Sequence, residues 1–302
     1  MREILFGDFL RDWYALMSID LRPRTCEQYS AAVRVISETV GDRMIGELTP
    51  IACAAVYAPI VAAGHSRTAQ IVFTIFRAAL RSAVETGILQ ASPMQGLKRP
   101  RYEGRDVDPF SDFEVSALLS DPKHGFAWRL LLSTGLRRGE ACALRWRDVD
   151  FGARVIRVTR QLVRANGVLI EGPPKSSAGK RRIGVPDDLA DALRGQLRAQ
   201  MAAGRRGDYV VSPDGCRVEP RALNRWLTAA AHDADVLDAH PHRFRHTFGA
   251  DAVSAGIDIR VLQRLLGHSD IKVTAKYYAY VRDDVLCAAS RRIAAYRDGV
   301  GI

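Results

Sequence analysis

The stretch HPHRFRHTF, residues 240–248, carries the strongest structural signal in the chain. Pro241 suits the first position of a helix, where its missing amide hydrogen costs nothing. On that helix His242 and Arg245 stand three residues apart and therefore share one face. An arginine binds two phosphate oxygens at once, and an imidazole titrates near neutral pH. The stretch therefore predicts a helix that presents a cation and a proton-transfer group to the same anion.

A second informative stretch, LLGHSDIKVTAKYYAY, covers residues 265–280. Gly267 is typical of a helix C-terminus, and Ser269 of the start of the next helix. His268 falls in the gap between the two helices, where its side chain is free to face a ligand. Tyr277 follows nine residues after His268, on the next predicted helix. Taken alone, a tyrosine-rich helix of this kind is more typical of a core or an interface than of a catalytic site.

A third stretch, TGLRRGE at residues 134–140, places Arg137 directly after a glycine break and at the start of a helix. A ligand approaches the backbone most easily at such a position. Glu140, three residues later, can hold Arg137 through a contact between neighbouring turns. For this motif alone, a solvated pair of opposite charges is the plain alternative.

Length and charge limit the class of protein. A chain of 302 residues exceeds one typical hydrophobic core, so two domains are expected. The formal net charge is +10, of which residues 1–107 carry +2 and the remainder +8. Such a surplus favours a polyanionic partner. The five cysteines are scattered and never in C-x-x-C spacing, which indicates neither a disulfide framework nor a zinc ribbon. Without a long apolar run, we expect a soluble, cytoplasmic protein.

Hydrophobic periodicity predicts a mainly α fold of the α+β class. Apolar residues at three- and four-residue intervals predict an all-helical domain over residues 1–97. A polar, proline-bearing basic linker is expected over residues 98–109. Residues 110–302 are predicted to form a mostly helical domain that has one small three-stranded antiparallel sheet and ends in a C-terminal helix. The strands are expected at Val155–Leu162, Val168–Ile170 and Arg182–Val185.

Together, the three motifs resemble the tyrosine recombinases, also called the phage integrase family, over essentially the whole chain. TGLRRGE looks like the first arginine box of the family, HRFRHTF like its H-x-x-R box, and LLGHSDIKVTAKY like the segment that leads to its nucleophile. The chain resembles the short two-domain members, such as Xer-like recombinases and mobile-element integrases. The resemblance implies a core-binding, DNA-binding domain over residues 1–97 and a catalytic domain over residues 110–302.

The resemblance also implies roles for the residues of the three boxes. Arg137 and Arg245 would clamp the scissile phosphate, and His268 would hydrogen-bond to it. His242 would act as general base or acid toward the nucleophile, and Glu140 would support the site. No metal or other cofactor is implied, because a covalent link to the protein conserves the bond energy for rejoining.

Tyr277 is the nucleophile that the resemblance implies. The family places its tyrosine nine residues after the box histidine, which is the register of Tyr277 relative to His268. Tyr278, about 100° further around a helix, and Tyr280 fall out of that register. Attack on phosphorus by Tyr277 would leave a 3′-phosphotyrosyl link and a free 5′-hydroxyl.

The family also carries a catalytic lysine in the turn between its second and third strands, where it protonates the leaving 5′-oxygen. Lys175 stands at the start of this turn and is favoured, and Lys180 is the competitor. A solvated basic hairpin is the plain alternative. Contacts with DNA phosphates are expected from Lys98, Arg99, Arg101, Lys180 and Arg181.

The implied function is that of a site-specific DNA recombinase that integrates, excises or resolves DNA in the nucleoid. Its expected partners are a double-stranded recombination site, further copies of the chain in a tetramer on DNA, and accessory DNA-bending or directionality proteins. The two domains would form a clamp around duplex DNA.

A type IB topoisomerase-like enzyme and a non-catalytic DNA-binding regulator stay open as alternatives. A zinc hydrolase with His242, His246 and His268 as ligands is disfavoured, because no glutamate occupies the position of the base.

Overall fold

The structure, a computed structural model, describes residues 4–102, 108–280 and 283–300. It divides into two compact units, Met1–Arg105 with Ala165–Val168, and Asp106–Arg164 with Leu169–Ile302. Residues 103–107 of the predicted linker lie outside the described residues. Within the described ranges, none of the helices combines the length and the apolar character that a membrane span requires.

The first unit is helical. Its helices are α1 (Phe6–Ser18), α2 (Pro23–Val40), α3 (Pro50–Ala62) and α4 (Ser66–Glu85). The Thr49 hydroxyl accepts a hydrogen bond from the Ala52 amide at 3.2 Å, and Pro50 takes the first helical position. Phe6, Ile36 and Phe76 are buried in a core that belongs to this unit alone.

The second unit contains most of the remaining helices. They are α5 (Asp112–Leu119), α6 (Gly125–Thr134), α7 (Arg138–Ala143), α8 (Asp187–Ala202), α9 (Pro220–Asp233), α10 (Pro241–Ser254), α11 (Ile259–Leu266), α12 (Ile271–Ala275) and α13 (Asp283–Val300). A capping box forms at the start of α5, where the Ser111 hydroxyl accepts from the Glu114 amide and Glu114 accepts from the Ser111 amide.

Five short strands interrupt these helices between α7 and α8. They are β1 (Val149–Asp150), β2 (Val155–Val158), β3 (Gln161–Ala165), β4 (Val168–Gly172) and β5 (Arg181–Gly184). β1, β2 and β5 form an antiparallel three-stranded sheet in the order β1-β2-β5, and β3 and β4 form a separate two-stranded sheet. The turn between β3 and β4 has positive φ at Asn166 and Gly167.

The mainly helical class with a small antiparallel sheet is confirmed, but the strands are divided differently from the prediction. The single strand expected over residues 155–162 ends at Val158, and the chain resumes as β3 with a different partner. Arg160 lies between the two strands, outside the β-ladder, and its Nη1 donates a hydrogen bond to Asp148 at 2.9 Å. Alternation of apolar and polar residues continues across this break, so the sequence pattern does not reveal the change of partner.

Two clusters of apolar side chains lie in the second unit. The larger one is centred on buried residues such as Trp128, Leu131 and Phe244. The smaller one joins α10 to α11 and contains Val253, Leu262, Leu266 and Tyr277. The tyrosine singled out by the sequence is therefore part of a packed core.

Candidate active site

Three consecutive carbonyl groups at the end of α11 accept hydrogen bonds from three arginines. Leu265 accepts from Arg181 Nε at 2.6 Å, Leu266 from Arg245 Nη2 at 2.6 Å, and Gly267 from Arg137 Nη2 at 3.1 Å. Gly267 ends the helix with a φ of +65°, a left-handed conformation that favours glycine. The last carbonyls of a helix lack helical partners and carry partial negative charge. This helix end therefore gathers three cations in one place.

Arg245 is completely buried. Its Nη1 donates to the Gly135 carbonyl at the end of α6, at 2.7 Å. Burial, and then the charge of Arg137, lowers the pKa of Arg245 to about 9, which still leaves the guanidinium charged at pH 7. Among the described residues, nothing accepts a hydrogen bond from its buried Nε. An unpaired buried donor is costly, so this atom is suited to receive an oxygen from a bound anion.

Glu140 is buried between two of the arginines. Its Oε1 accepts from Arg137 Nη1 and its Oε2 from Arg181 Nη2, both at 2.9 Å. Burial opposes ionisation, but the hydrogen bonds and charges of Arg181 and Arg137 prevail and lower the pKa of Glu140. Glu140 also accepts from the Arg137 amide at 3.0 Å. The carboxylate thus fixes Arg137, whose side chain keeps 35% of its surface exposed and accessible to a ligand.

His268 follows directly after these carbonyl groups and is buried. Its Nδ1 lies 3.0 Å from the hydroxyl of Thr274, which leaves Nε2 to meet a ligand. Burial, and then the charges of Arg245 and Arg137, lowers the pKa of His268 to about 3. The ring is therefore neutral at pH 7 and can donate one hydrogen bond.

His242 lies near the start of α10 and is exposed. Desolvation, followed by the charges of His246 and Arg245, lowers the pKa of His242 to about 4. His242 is therefore neutral at pH 7 and able to accept a proton.

Tyr277 lies in a 3-10 turn, Lys276–Tyr280, that follows α12, rather than in a regular α-helix as the sequence predicts. Its ring is 3% exposed and stacks on His268 with the ring centroids 6.2 Å apart and the planes 3° from parallel. His246 meets it from another side, with centroids 5.4 Å apart. Burial raises the pKa of Tyr277, and the nearby Arg245 and Arg137 offset this only in part. The phenol is therefore protonated at pH 7, and its attack requires a proton acceptor.

The other two tyrosines of the turn differ in what the structure shows. Tyr278 is 41% exposed, and its hydroxyl donates to the Ile257 carbonyl at 3.4 Å. The side chain of Tyr280 lies outside the described part of the chain. Of the two tyrosines whose side chains are described, Tyr277 alone lies near Arg245 and Arg137.

Gly249 on α10 makes room for the ring of Tyr277. A Cβ at this position would lie 2.6 Å from two ring carbons, closer than real Cβ atoms approach other atoms. Gly249→Ala is expected to displace the ring and slow strand cleavage by about 10²-fold, because a shift of about 1 Å in a reacting group has that effect. Single-turnover cleavage of a nicked DNA substrate measures the loss.

Gly195→Ala is the matched control for this variant. Gly195 also lies inside a helix, but a Cβ there meets nothing within 4 Å. It should leave cleavage unchanged and raise the free energy of unfolding by roughly 0.5–1 kcal/mol. Equal cleavage rates in the two variants would show that the space beside Tyr277 is not needed.

The remaining basic residues fall into two groups. Lys175 and Lys180 are exposed in the loop between β4 and β5, and Lys98, Arg99 and Arg101 are exposed after α4. Arg181 is different, because its side chain is 5% exposed and its guanidinium is occupied by Glu140 and two carbonyl groups. The phosphate contact expected of Arg181 stays a prediction, and in this structure three of its five N–H groups already have acceptors inside the protein.

Two residues that lie at the site were not predicted from the sequence to be part of it. The ring of His246 contacts the rings of both His242 and Tyr277, and its i,i+4 spacing from His242 was the signal that could have placed it at the site. Thr274 fixes the ring of His268, and no sequence pattern pointed to it. Among the described residues, His, Cys, Asp and Glu side chains nowhere form a group of three that could hold a metal ion.

A family model and individual related proteins both match this chain, and both are integrases. The model of the phage integrase family matches residues 119–284, more than half of the chain. The integrase of Mycobacterium phage L5 is 26% identical over 300 residues, which cover 96% of this chain and 80% of that protein. The prophage integrase IntR of Escherichia coli K12 is 26% identical over 230 residues, 68% of this chain, and the chain spans only 55% of its length.

The fold is also similar to solved structures. The Tn1549 transposon integrase, in complex with transposon right end DNA, has a TM-score of 0.80 at 22% identity, covering 96% of this chain and 100% of that one. This fold and the family match define the class, an enzyme that breaks and rejoins DNA strands. The chain belongs to the phage integrase family, whose members are the tyrosine recombinases.

Proposed function

We propose that this protein recombines duplex DNA at a specific site and that Tyr277 is the residue that attacks the phosphodiester. The observation that carries the proposal is the position of Tyr277, buried beside Arg245 and stacked on His268. A phosphate repels nucleophiles because its oxygens are negatively charged, so attack requires cations fixed around the phosphorus. Arg137 and Arg245 supply them, and both are positioned before the substrate arrives.

In the proposed step, the Tyr277 oxygen forms a bond to phosphorus while the bond from phosphorus to the 5′-oxygen breaks. The phenol proton passes to His242, which is neutral at pH 7. The electron pair of the broken bond leaves on the 5′-oxygen, which takes a proton from a lysine of the loop between β4 and β5. Lys175 is the favoured donor, and Lys180 is the alternative. The products are a 3′-phosphotyrosyl link and a free 5′-hydroxyl. Rejoining reverses the step with the 5′-hydroxyl of another strand.

We further propose that four copies assemble on two duplexes, because exchange of both strand pairs uses four nucleophiles. The finer boundaries proposed from the sequence are a DNA-binding domain at residues 1–97, a linker at residues 98–109 and a catalytic domain at residues 110–302. Accessory bending or directionality proteins would act on the same complex, and the nucleoid is the proposed place of action.

DNA binding is expected to weaken steeply with salt, because each phosphate that meets a cationic side chain releases a counterion. Replacing Lys98, Arg99 and Arg101 together by glutamine should reduce the slope of log K against log salt by about 3. Fluorescence anisotropy of a labelled duplex at several salt concentrations measures the slope. Because these side chains are exposed, the melting temperature should not change, and an unaltered slope would remove this segment from the interface.

Two assays separate the proposed function from its alternatives. A regulator that only binds DNA forms no covalent adduct with a nicked substrate, whose short 5′ fragment diffuses away and traps the intermediate. A type IB topoisomerase-like enzyme relaxes supercoiled plasmid without exchanging partners. The recombinase is expected to convert a plasmid carrying two recombination sites into two circles or an inverted product, with both sites taken from a footprint of the bound DNA. Relaxation without recombinant product would favour the topoisomerase.

A further inference from the structure

We propose that Arg181 is a positioning residue that docks the lysine-bearing loop onto the phosphate site, so that the lysine reaches the leaving 5′-oxygen. This inference rests on the proposed function, because it takes a lysine of the loop Pro173–Lys180 as the proton donor. It assigns Arg181 a role inside the protein in place of a contact with DNA.

The guanidinium of Arg181 joins three segments of the chain. Its Nε donates to the Leu265 carbonyl of α11 at 2.6 Å, and its Nη2 to Glu140 of α7 at 2.9 Å. Its Nη1 donates to the Gly179 carbonyl at 3.2 Å, within the loop itself. With 5% of the side chain exposed, this group is a fixed internal link rather than a surface cation.

The loop is compact and rests against the end of α11. A Cβ on Gly179 would lie 2.4 Å from Cβ of Pro174, so the two ends of the loop are in close contact. A Cβ on Gly267 would lie 2.8 Å from the Ala178 carbonyl oxygen and 3.1 Å from Cδ of Arg181. The same helix end that holds Arg137 and Arg245 therefore also carries the loop with the lysine.

Lys175 itself is exposed next to the buried Pro174, and nothing else in its immediate sequence is charged. Its position thus depends on where the loop docks. Arg181 is the buried cation that ties the loop to both Glu140 and α11. Arginine is required because its planar fork reaches acceptors in three directions, whereas lysine offers one nitrogen.

The leaving group allows this role to be tested. In the cleavage step the phosphorus–O5′ bond breaks, and the 5′-oxygen leaves with a proton from the lysine. If sulfur replaces that bridging oxygen, the thiolate leaves without a proton, because a thiol has a pKa of only about 8.5. A defect in delivering the proton disappears on the sulfur substrate, whereas a defect in the arginine clamp or the fold persists.

The experiment compares single-turnover cleavage of the two substrates by the full chain. Arg181→Gln is expected to cleave the ordinary substrate about 10²-fold more slowly, the lower end of what a general acid supplies, and the sulfur substrate at about the wild-type rate. Arg181→Lys keeps a positive charge beside Glu140 and should give the same pattern, which covers the case in which Arg181→Gln does not fold. Arg182→Gln, at the neighbouring exposed position, should match the wild type on both substrates.

The same pair of substrates tests the proposed lysine separately. Lys175→Ala should show the rescue pattern, and if Lys180→Ala shows it instead, the lysine assignment changes while the role of Arg181 stands. Equal slowing of both substrates by Arg181→Gln and Arg181→Lys would overturn the inference, since the fault would then lie in the clamp. Unchanged cleavage of the ordinary substrate by both variants would overturn it as well.

Discussion

Replacing Tyr277 with phenylalanine is expected to abolish the covalent adduct with DNA and to slow strand cleavage by more than about 10⁴-fold, as loss of a nucleophile does in other covalent enzymes. The phenol oxygen is the atom that bonds to phosphorus, and phenylalanine lacks it. The ring packs with Val253, Leu262 and Leu266, and phenylalanine preserves that packing. The variant should therefore keep its fold, its melting temperature and its affinity for DNA. Denaturing gels of a nicked substrate measure the adduct.

Tyr278→Phe is the matched control, because it removes the same atom one residue further along the chain. Its hydroxyl makes one long hydrogen bond, 3.4 Å, to the Ile257 carbonyl, and the side chain is exposed. Cleavage should stay within about twofold of the wild type, as is usual for exposed substitutions. The reverse result, an adduct in Tyr277→Phe and none in Tyr278→Phe, would show that the nucleophile is Tyr278 and not Tyr277.

The second large effect is expected at the two clamp arginines. Arg137→Gln should lower the cleavage rate by about 10²–10³-fold, equivalent to about 2.7–4 kcal/mol of transition-state stabilisation, because it removes charged donors to the phosphate. Arg245→Gln should lower it at least as far. It should also lower the free energy of unfolding by about 1–3 kcal/mol for each of the two carbonyl acceptors that lose their donor, Gly135 and Leu266.

The two variants should differ in how far they change the cleavage rate and the free energy of unfolding. Single-turnover cleavage measures the first quantity, and urea unfolding measures the second. Arg137 is partly exposed, so its loss should affect the rate far more than the stability. Arg138→Gln, at the adjacent exposed position, should change neither. If Arg137→Gln lost stability but cleaved at the wild-type rate, its guanidinium would be a structural cap and not part of the phosphate clamp.

Much of the candidate site could be predicted from the sequence because its signals are local. Pro241 marks the start of α10, and Gly267 marks the end of α11, each through backbone chemistry that operates within one turn. The resemblance of the motifs to those of the family then singles out Arg137, Arg245, His268 and Tyr277. The structure places Arg137 and Arg245 on adjacent carbonyl groups, although they are far apart in sequence.

Other parts could not be predicted because they depend on tertiary contacts. Arg181 looks like any basic residue of an exposed hairpin, and only the fold shows it buried against Glu140. The space that Gly249 leaves for the ring of Tyr277 is likewise a contact between α10 and a distant turn. The division of the strands after Val158 depends on which neighbour each segment meets. None of these features produces a hydrophobic periodicity or a helix-capping motif that could be recognised in the sequence.

The most direct test of Tyr277 as the nucleophile is to identify the residue that carries the DNA. The trapped adduct is digested with nuclease and trypsin, and fragmentation of the peptide that begins after Lys276 locates the nucleotide among its three tyrosines. We expect a 3′-linked nucleotide on Tyr277 alone. A nucleotide on Tyr278 or Tyr280, or on any residue outside this peptide, would contradict it.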